Sequence, residues 1–307
     1  MPYHIPRCQI IPLPDNQVSI QIDGQERTRW HFDPKYPRPF FYPLNGPAGS
    51  SLTRMGHPGA QNHDHHRSVW FAHNKVLGID FWSDLTEARI RQHHWLAYED
   101  GDEEALMGVE LRWYDGHDPK ELLRQEVIAA FRPGLKDGET QLELQTTFTP
   151  IADTLEFQKT NFGFLAVRVA KNISEHFGGG QLTNSEGKIH EPAIFGNRAR
   201  WMDYSGPVPG GKTEGITFID HPKNPGHPTG WHVREDGWMG ASVCMFEPRI
   251  TTADDHLTLR YMLFVHQDPV GTERSDELAA DFAKRTELEI VKATVKHRQF
   301  LVRRRRP

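Results

Sequence analysis

Two cysteines are all that the 307-residue chain contains, Cys8 and Cys244, near opposite ends. That excludes a disulfide framework, a zinc ribbon and most iron–sulfur sites. The pair reads as free packing thiols of a cytoplasmic protein. Long apolar runs are missing as well. The longest are Ser68–Ala72, Val127–Phe131 and Tyr261–Val265, far short of the roughly 18 residues that span a bilayer. A membrane is therefore not expected as a partner. The opening MPYHIPRCQIIPLP lacks a charged start, an apolar stretch and a small-residue cleavage site, so no secretory signal is expected. An excess of positive charge is absent: Lys+Arg 36 against Asp+Glu 41 leaves −5, which speaks against nucleic acid as a partner. There is no Gly-x-Gly-x-x-Gly, no phosphate-cradling Gly-Lys-Ser/Thr loop, no Gly-x-Ser-x-Gly elbow and no His-Glu-x-x-His. Nucleotide kinases, common dehydrogenases and serine hydrolases step back accordingly.

What is present in quantity is histidine, 18 in all, with 22 Pro and 26 Gly. A chain so rich in turn formers suits many short strands better than long helices. Period-two alternation runs through Gln17–Asp23, Met107–Tyr114, Glu126–Phe131 and Thr140–Phe148. Leu142, Leu144, Thr146 and Phe148 fall on one face of the last. Phe162–Ala170 is mostly apolar, as in a strand covered on both faces. Gly215–Asp220, Ala241–Phe246 and Leu257–His266 are further candidates. One helix is expected near 275–287, with Ser275 as its cap and Leu278, Phe282 and Ala283 on one face. The stretch 31–62 combines six prolines with aromatics and reads as a packed loop walling a pocket. The four arginines Arg303–Arg306 read as a solvated tail. The expected fold is all-β: residues 1–307 form one large antiparallel two-sheet β-sandwich with long loops and a minor C-terminal helix.

Three blocks could carry chemistry. The densest is Asn62-His-Asp-His-His-Arg67, followed by Ser68-Val-Trp-Phe-Ala-His73 and Gly78-Ile-Asp-Phe-Trp82. If Asn62–Arg67 is extended, His63 and His65 share a face and His66 takes the other. Two imidazoles on one side suit a metal or a hydroxylated ligand. No cofactor is required, but a divalent metal on His63, His65 and His73 stays open. Trp82 offers a sugar an apolar face. The second block, Asp220–Arg234, holds Asp220, His221, Asn224, Trp231 and His232 on a proline-stiffened loop after a strand. The third places Glu186 in a polar turn, then Arg200, Asp203 and Tyr204. A carboxylate base facing a His acid would suit proton transfer on a sugar.

Together these blocks resemble the DUF6807 proteins, a bacterial family of unknown function also labelled the "PmoA family". The likeness covers roughly residues 15–300. It is carried by His63-Asp-His-His-Arg67, Gly78-Ile-Asp-Phe-Trp82, Thr183-Asn-Ser-Glu-Gly187, Ala199-Arg-Trp-Met-Asp-Tyr-Ser-Gly206 and Asp220-His-Pro-x-Asn-Pro. Asn62 and Asp64 stand where the family pattern resembles Asp and Pro. The label does not lead to a methane monooxygenase subunit, which is an integral membrane protein. The resemblance implies a galactose-mutarotase-like supersandwich and a sugar-utilisation setting. The expected function is that of a carbohydrate-active protein, acting as an epimerase, lyase or hydrolase on a sugar or oxidised glycoside. His65 and His66 would be donors or acids and Glu186 the base, with His232 a further catalytic residue. Arg67, His73, Trp82, Arg200, Asp203, Tyr204, Asp220, His221, Asn224 and Trp231 would hold the ligand. A metal-dependent His-cluster enzyme and a non-catalytic sugar binder are the alternatives. Self-association stays open.

Overall fold

A computed structural model describes residues 4–57, 59–60 and 63–306. Asn62 lies outside the described residues. Half of the chain is strand and 8% is helix, so strand content is about twice that of an average domain. Two eight-stranded antiparallel sheets hold most of it. In spatial order, the first sheet is β1 (Cys8–Leu13), β2 (Gln17–Ile22), β3 (Gln25–His31), β4 (Phe40–Leu44), β5 (Val69–His73), β11 (Gly163–Arg168), β16 (Trp238–Ser242) and β15 (Gly230–Arg234). The second is β12 (Gln181–Asn184), β13 (Trp201–Val208), β14 (Lys212–Asp220), β18 (Leu257–Gln267), β9 (Thr140–Pro150), β8 (Leu123–Pro133), β7 (Ala105–Tyr114) and β6 (Arg89–Glu99). Two short pairs complete the strands, β10 (Thr154–Phe157) with β17 (Arg249–Thr252) and β19 (Leu288–Lys292) with β20 (Phe300–Arg304). The helices are α1 (Glu175–Gly178), α2 (Glu191–Ile194) and α3 (Thr272–Lys284).

The inner faces meet in one apolar core that draws on residues from Cys8 to Val265. On β9 the alternating Leu142, Leu144 and Phe148 face it, as the period-two pattern requires. The second sheet is also covered outside. Helix α3 lays Leu278 and Phe282 over Trp201, Ile219 and Met262; burying each of these two side chains is worth about 1.5–3 kcal/mol. The β19–β20 hairpin covers Ile128 and Ala130. The expected helix was placed too late. It begins at Thr272 behind Gly271, and Ser275 is a buried residue inside it, not its cap. Ala241–Phe246 is strand only to Ser242, because the chain turns there.

The arginine tail is not simply solvated. Arg304 ends on Glu104 and Glu143, and Arg303 and Arg305 pair with Glu289 and Glu287. Glu143 is fully buried on β9 and also meets Arg260 and Arg285. A buried carboxylate is tolerable only with such partners. Burial works to raise its pKa, and the arginines outweigh that, leaving it below the ordinary range.

Candidate functional site

The outer face of the first sheet holds a cleft. Alternation decides which side chains line it. On β5, Val69 and Phe71 point to the core while Trp70 and Ala72 point out. On β15, Trp231 and Val233 point in, so His232 and Arg234 point out. The register aligns Trp70, Ala166, Gly240 and His232 in one row across four strands. Arg168, Trp238 and Arg234 form the next row. Ala166 and Gly240 keep the floor low, and aromatic rings rise on either side of it.

The His block supplies one wall. Residues 63–65 form a tight turn, closed by His66 N–H donating to the His63 carbonyl at 3.0 Å. The expectation of an extended segment is therefore corrected. A turn brings neighbours together where a strand would separate them, and His63, His65 and His66 all line the cleft. Their ring centroids lie 4.3 to 6.1 Å apart. His66 packs on Trp238 at 4.4 Å and stacks on Trp70 at 5.5 Å. Trp82 and Phe162 close the far side, with Trp82 5.1 Å from Trp238. The cavity measures about 420 Å³, within the roughly 300–1,000 Å³ of small-molecule sites.

Its polar groups are set by defined partners. Arg168 grips Asp236, in the β15–β16 turn, through two hydrogen bonds of 2.8 and 3.0 Å. His57 meets the same carboxylate at 2.9 Å. Burial works to raise Asp236, but the Arg168 hydrogen bonds and charge prevail and hold it low. Asp80 accepts from the backbone N–H groups of Trp82 and Ser83 with Oδ1. Asn74 accepts from the Thr160 hydroxyl at 2.8 Å, so its amide N–H₂ is left for other partners. Beneath the wall, buried Arg38 donates to the carbonyls of Trp82 and Ser83. The 31–62 segment adds Tyr36, Phe40 and Tyr42 to the aromatic cluster, as its composition led one to expect.

Burial disfavours the charged form of His66 and His232. Burial, then the nearby Arg234, pushes His232 down to about 4. Burial, then His65, drives His66 far below the imidazole range. His232 Nδ1 lies 3.1 Å from the Asn161 carbonyl, and a carbonyl only accepts. Nδ1 therefore carries the proton and Nε2 the lone pair. Five buried polar atoms of the lining residues have no hydrogen-bond partner among the described residues: Nε1 of Trp82 and Trp238, Nδ1 of His63 and His66, and Nε of Arg168.

Other sequence candidates lie elsewhere. Glu186 is exposed on the turn after β12, accepts from Ser185, and is not among the cleft-lining residues. His73 faces the core against Phe157 and Phe164. It is thus on the opposite face of β5 from Trp70 and does not join His63 and His65 around a metal. Arg67 pairs with Asp84 beside the cleft mouth. Arg200 pairs with Asp276 of α3. Asp203 is buried on the face of the second sheet that α3 covers and accepts from Thr217 and His266 at 2.8 Å. Tyr204 crosses the core to donate to the Arg234 and Glu235 carbonyls. Asp220 accepts from Asn224, His227 and the Thr229 N–H. His221 meets Arg260, and Trp231 donates to Ala199. The proline-rich loop is thus largely satisfied within itself, and only the end of that block, His232 and Arg234, reaches the cleft. Sequence reasoning missed Asn74, Asp80, Phe162, Arg168, Asp236 and Trp238. The Asp236-Gly237 turn between alternating runs is a hairpin signal. It would have placed Trp238 on the same face as His232 and Arg234.

With this geometry in view, the chain belongs to the family described as "Family of unknown function (DUF6807)", matched over residues 17–280. That description carries no oxygenase label. No curated protein matches. Among solved structures, a Salmonella typhimurium protein assigned as a mutarotase aligns at 12% identity and a TM-score of 0.37, over 87% of this chain and 96% of that one. A 4-alpha-glucanotransferase from Thermococcus litoralis aligns at 9% and 0.34, over 87% of this chain and 40% of that one. At these TM-scores neither likeness bears on activity. No helix among the described residues is long and apolar enough to cross a membrane.

Proposed function

We propose that this chain binds a carbohydrate in the outer-face cleft and moves a proton on it, with neutral His232 as the base. The observation that carries the reading is one cavity lined by His63, His65, His66, His232, Trp82 and Trp238 with Asp80 and Arg168, several of whose buried polar atoms have no partner among the described residues. Buried donors without partners are costly. A sugar presents hydroxyls around its edge and C–H groups on its faces, so it can pair such atoms while stacking on Trp82 and Trp238. His232 is lowered to about 4, so its Nε2 lone pair is free at neutral pH but weakly basic, and the proton it takes must be an acidic one, as on a carbon beside a carbonyl. Asp80 takes the carboxylate part first expected of Glu186, because it lines the cleft and Glu186 does not. Arg234 suits a ligand oxygen that carries or develops negative charge. We place the protein in the cytoplasm, in keeping with two buried free thiols.

The test follows sugar interconversion and solvent-deuterium incorporation by NMR, over aldoses, uronates and oxidised glycosides. His232→Gln retains a donor for the Asn161 carbonyl and removes the base. Turnover should fall by about 10²–10⁴-fold with affinity changed far less. Binding without turnover in the wild type would make the protein a sugar binder. No binding of any sugar would remove the carbohydrate reading.

A further inference from the structure

A second constellation lies on the other sheet, at its edge strand β6. In a regular strand, consecutive side chains point to opposite faces. Here the β6–β7 register shifts between Gln92 and His94. The bulge at His93 re-aims its side chain, so His93 and His94 both approach Glu110 of β7. The two Nδ1 atoms are 3.0 Å apart, and they lie 3.8 and 3.6 Å from the same Glu110 Oε1. The imidazole planes are nearly perpendicular, at 86°, so the two nitrogens converge without the rings stacking.

The geometry points to a binding site for a divalent first-row transition metal, with zinc as the reference ion, formed by His93, His94 and Glu110. The point equidistant from the three ligand atoms lies about 2.0 Å from each, matching roughly 2.0–2.1 Å for zinc–imidazole and 2.0–2.2 Å for zinc–carboxylate bonds. Among the described residues this is the group of three His, Cys, Asp or Glu side chains close enough to share an ion. Arg112 Nε donates to the same Oε1 at 2.9 Å and orients the carboxylate. Its charge also limits affinity. His93 and His94 are exposed, so an ion would keep open positions for water or another ligand. None of the three residues lines the carbohydrate cleft, so this site stands independently of that reading.

The test is calorimetric titration of tag-free full-length protein with zinc alone, at pH 7.5. One saturable site is expected, weakened at least tenfold by His93→Asn or His94→Asn and by a smaller factor in Glu110→Gln. Both histidines are exposed, so circular dichroism and melting temperature should match wild type. Absence of zinc binding by the wild type would overturn the proposal. So would undiminished binding in the double His93→Asn/His94→Asn variant, and loss of that binding in His63→Ala would then place the ion at the cleft.

Discussion

The indole nitrogen of Trp238 lies 2.9 Å from where a Cβ on Gly240 would stand. The two residues are next-but-one neighbours on β16, so their side-chain positions share the outward face. Gly240 leaves room for the ring to lie low over the sheet, where it meets His66, Trp82 and His232.

Gly240→Ala should therefore move Trp238, because the ring is packed by its neighbours and has nowhere near to go. The expected cost is about 1–3 kcal/mol of stability from overpacking, together with weaker ligand binding. Urea unfolding and near-ultraviolet circular dichroism check it. Unchanged tryptophan signals would mean that the ring accommodates the methyl group.

The Arg168–Asp236 pair anchors the hairpin turn beside the cleft. Asp236→Asn leaves the buried guanidinium with one charged partner fewer. Breaking a fully buried pair costs about 3–5 kcal/mol. Asp236 keeps 25% of its side chain exposed, so about 2–3 kcal/mol is expected here. Ligand affinity should fall too, since Trp238 follows this turn. A change within 0.5 kcal/mol in urea unfolding, the usual range for an exposed surface substitution, would show that the pair holds nothing.

Acid should destabilise the fold early. His66, His73, His221 and His232 all have folded pKa values below the ordinary imidazole value, with burial the leading cause in each. As pH falls through about 6.5 the unfolded chain takes up their protons and the folded chain does not. Stability is thus lost from pH 6.5 down to about 4 for His221 and His232, and further down for His73 and His66, each contributing up to about 1.4 kcal/mol per pH unit. His266 runs the other way. Burial works to lower it, but Asp203 raises it, so its contribution is present below pH 6.5 and lost as pH rises through its folded pKa. Denaturant midpoints at pH 7, 6 and 5 should fall in that order; a flat series would contradict the neutral-histidine account.

Much of the sandwich was legible because alternation is a local signal. Leu142, Leu144 and Phe148 declare their face without reference to any other strand. The cleft was legible where a block was dense, at His63–His66, at Trp82, and at a strand, at His232. Arg168 and Trp238 reach it through pairing of strands far apart in sequence, and register across β5, β11, β16 and β15 is not written in any one segment. Polar density alone misled at Asp220, His221 and Asn224. Side chains that close a loop on itself have the same composition as side chains that await a ligand.

The central claim is that a carbohydrate binds on the outer face of the first sheet, among Trp82, Trp238 and the histidines. The most direct measurement is isothermal titration of the sugar panel into wild type, Trp82→Leu and Glu186→Gln. Trp82→Leu removes a stacking face and an unpaired N–H, and affinity should drop at least tenfold, a loss of about 1.4 kcal/mol. Glu186→Gln should bind as wild type does. A sugar bound equally well by Trp82→Leu, but weakly by Glu186→Gln, would place the site on the other sheet and contradict the account.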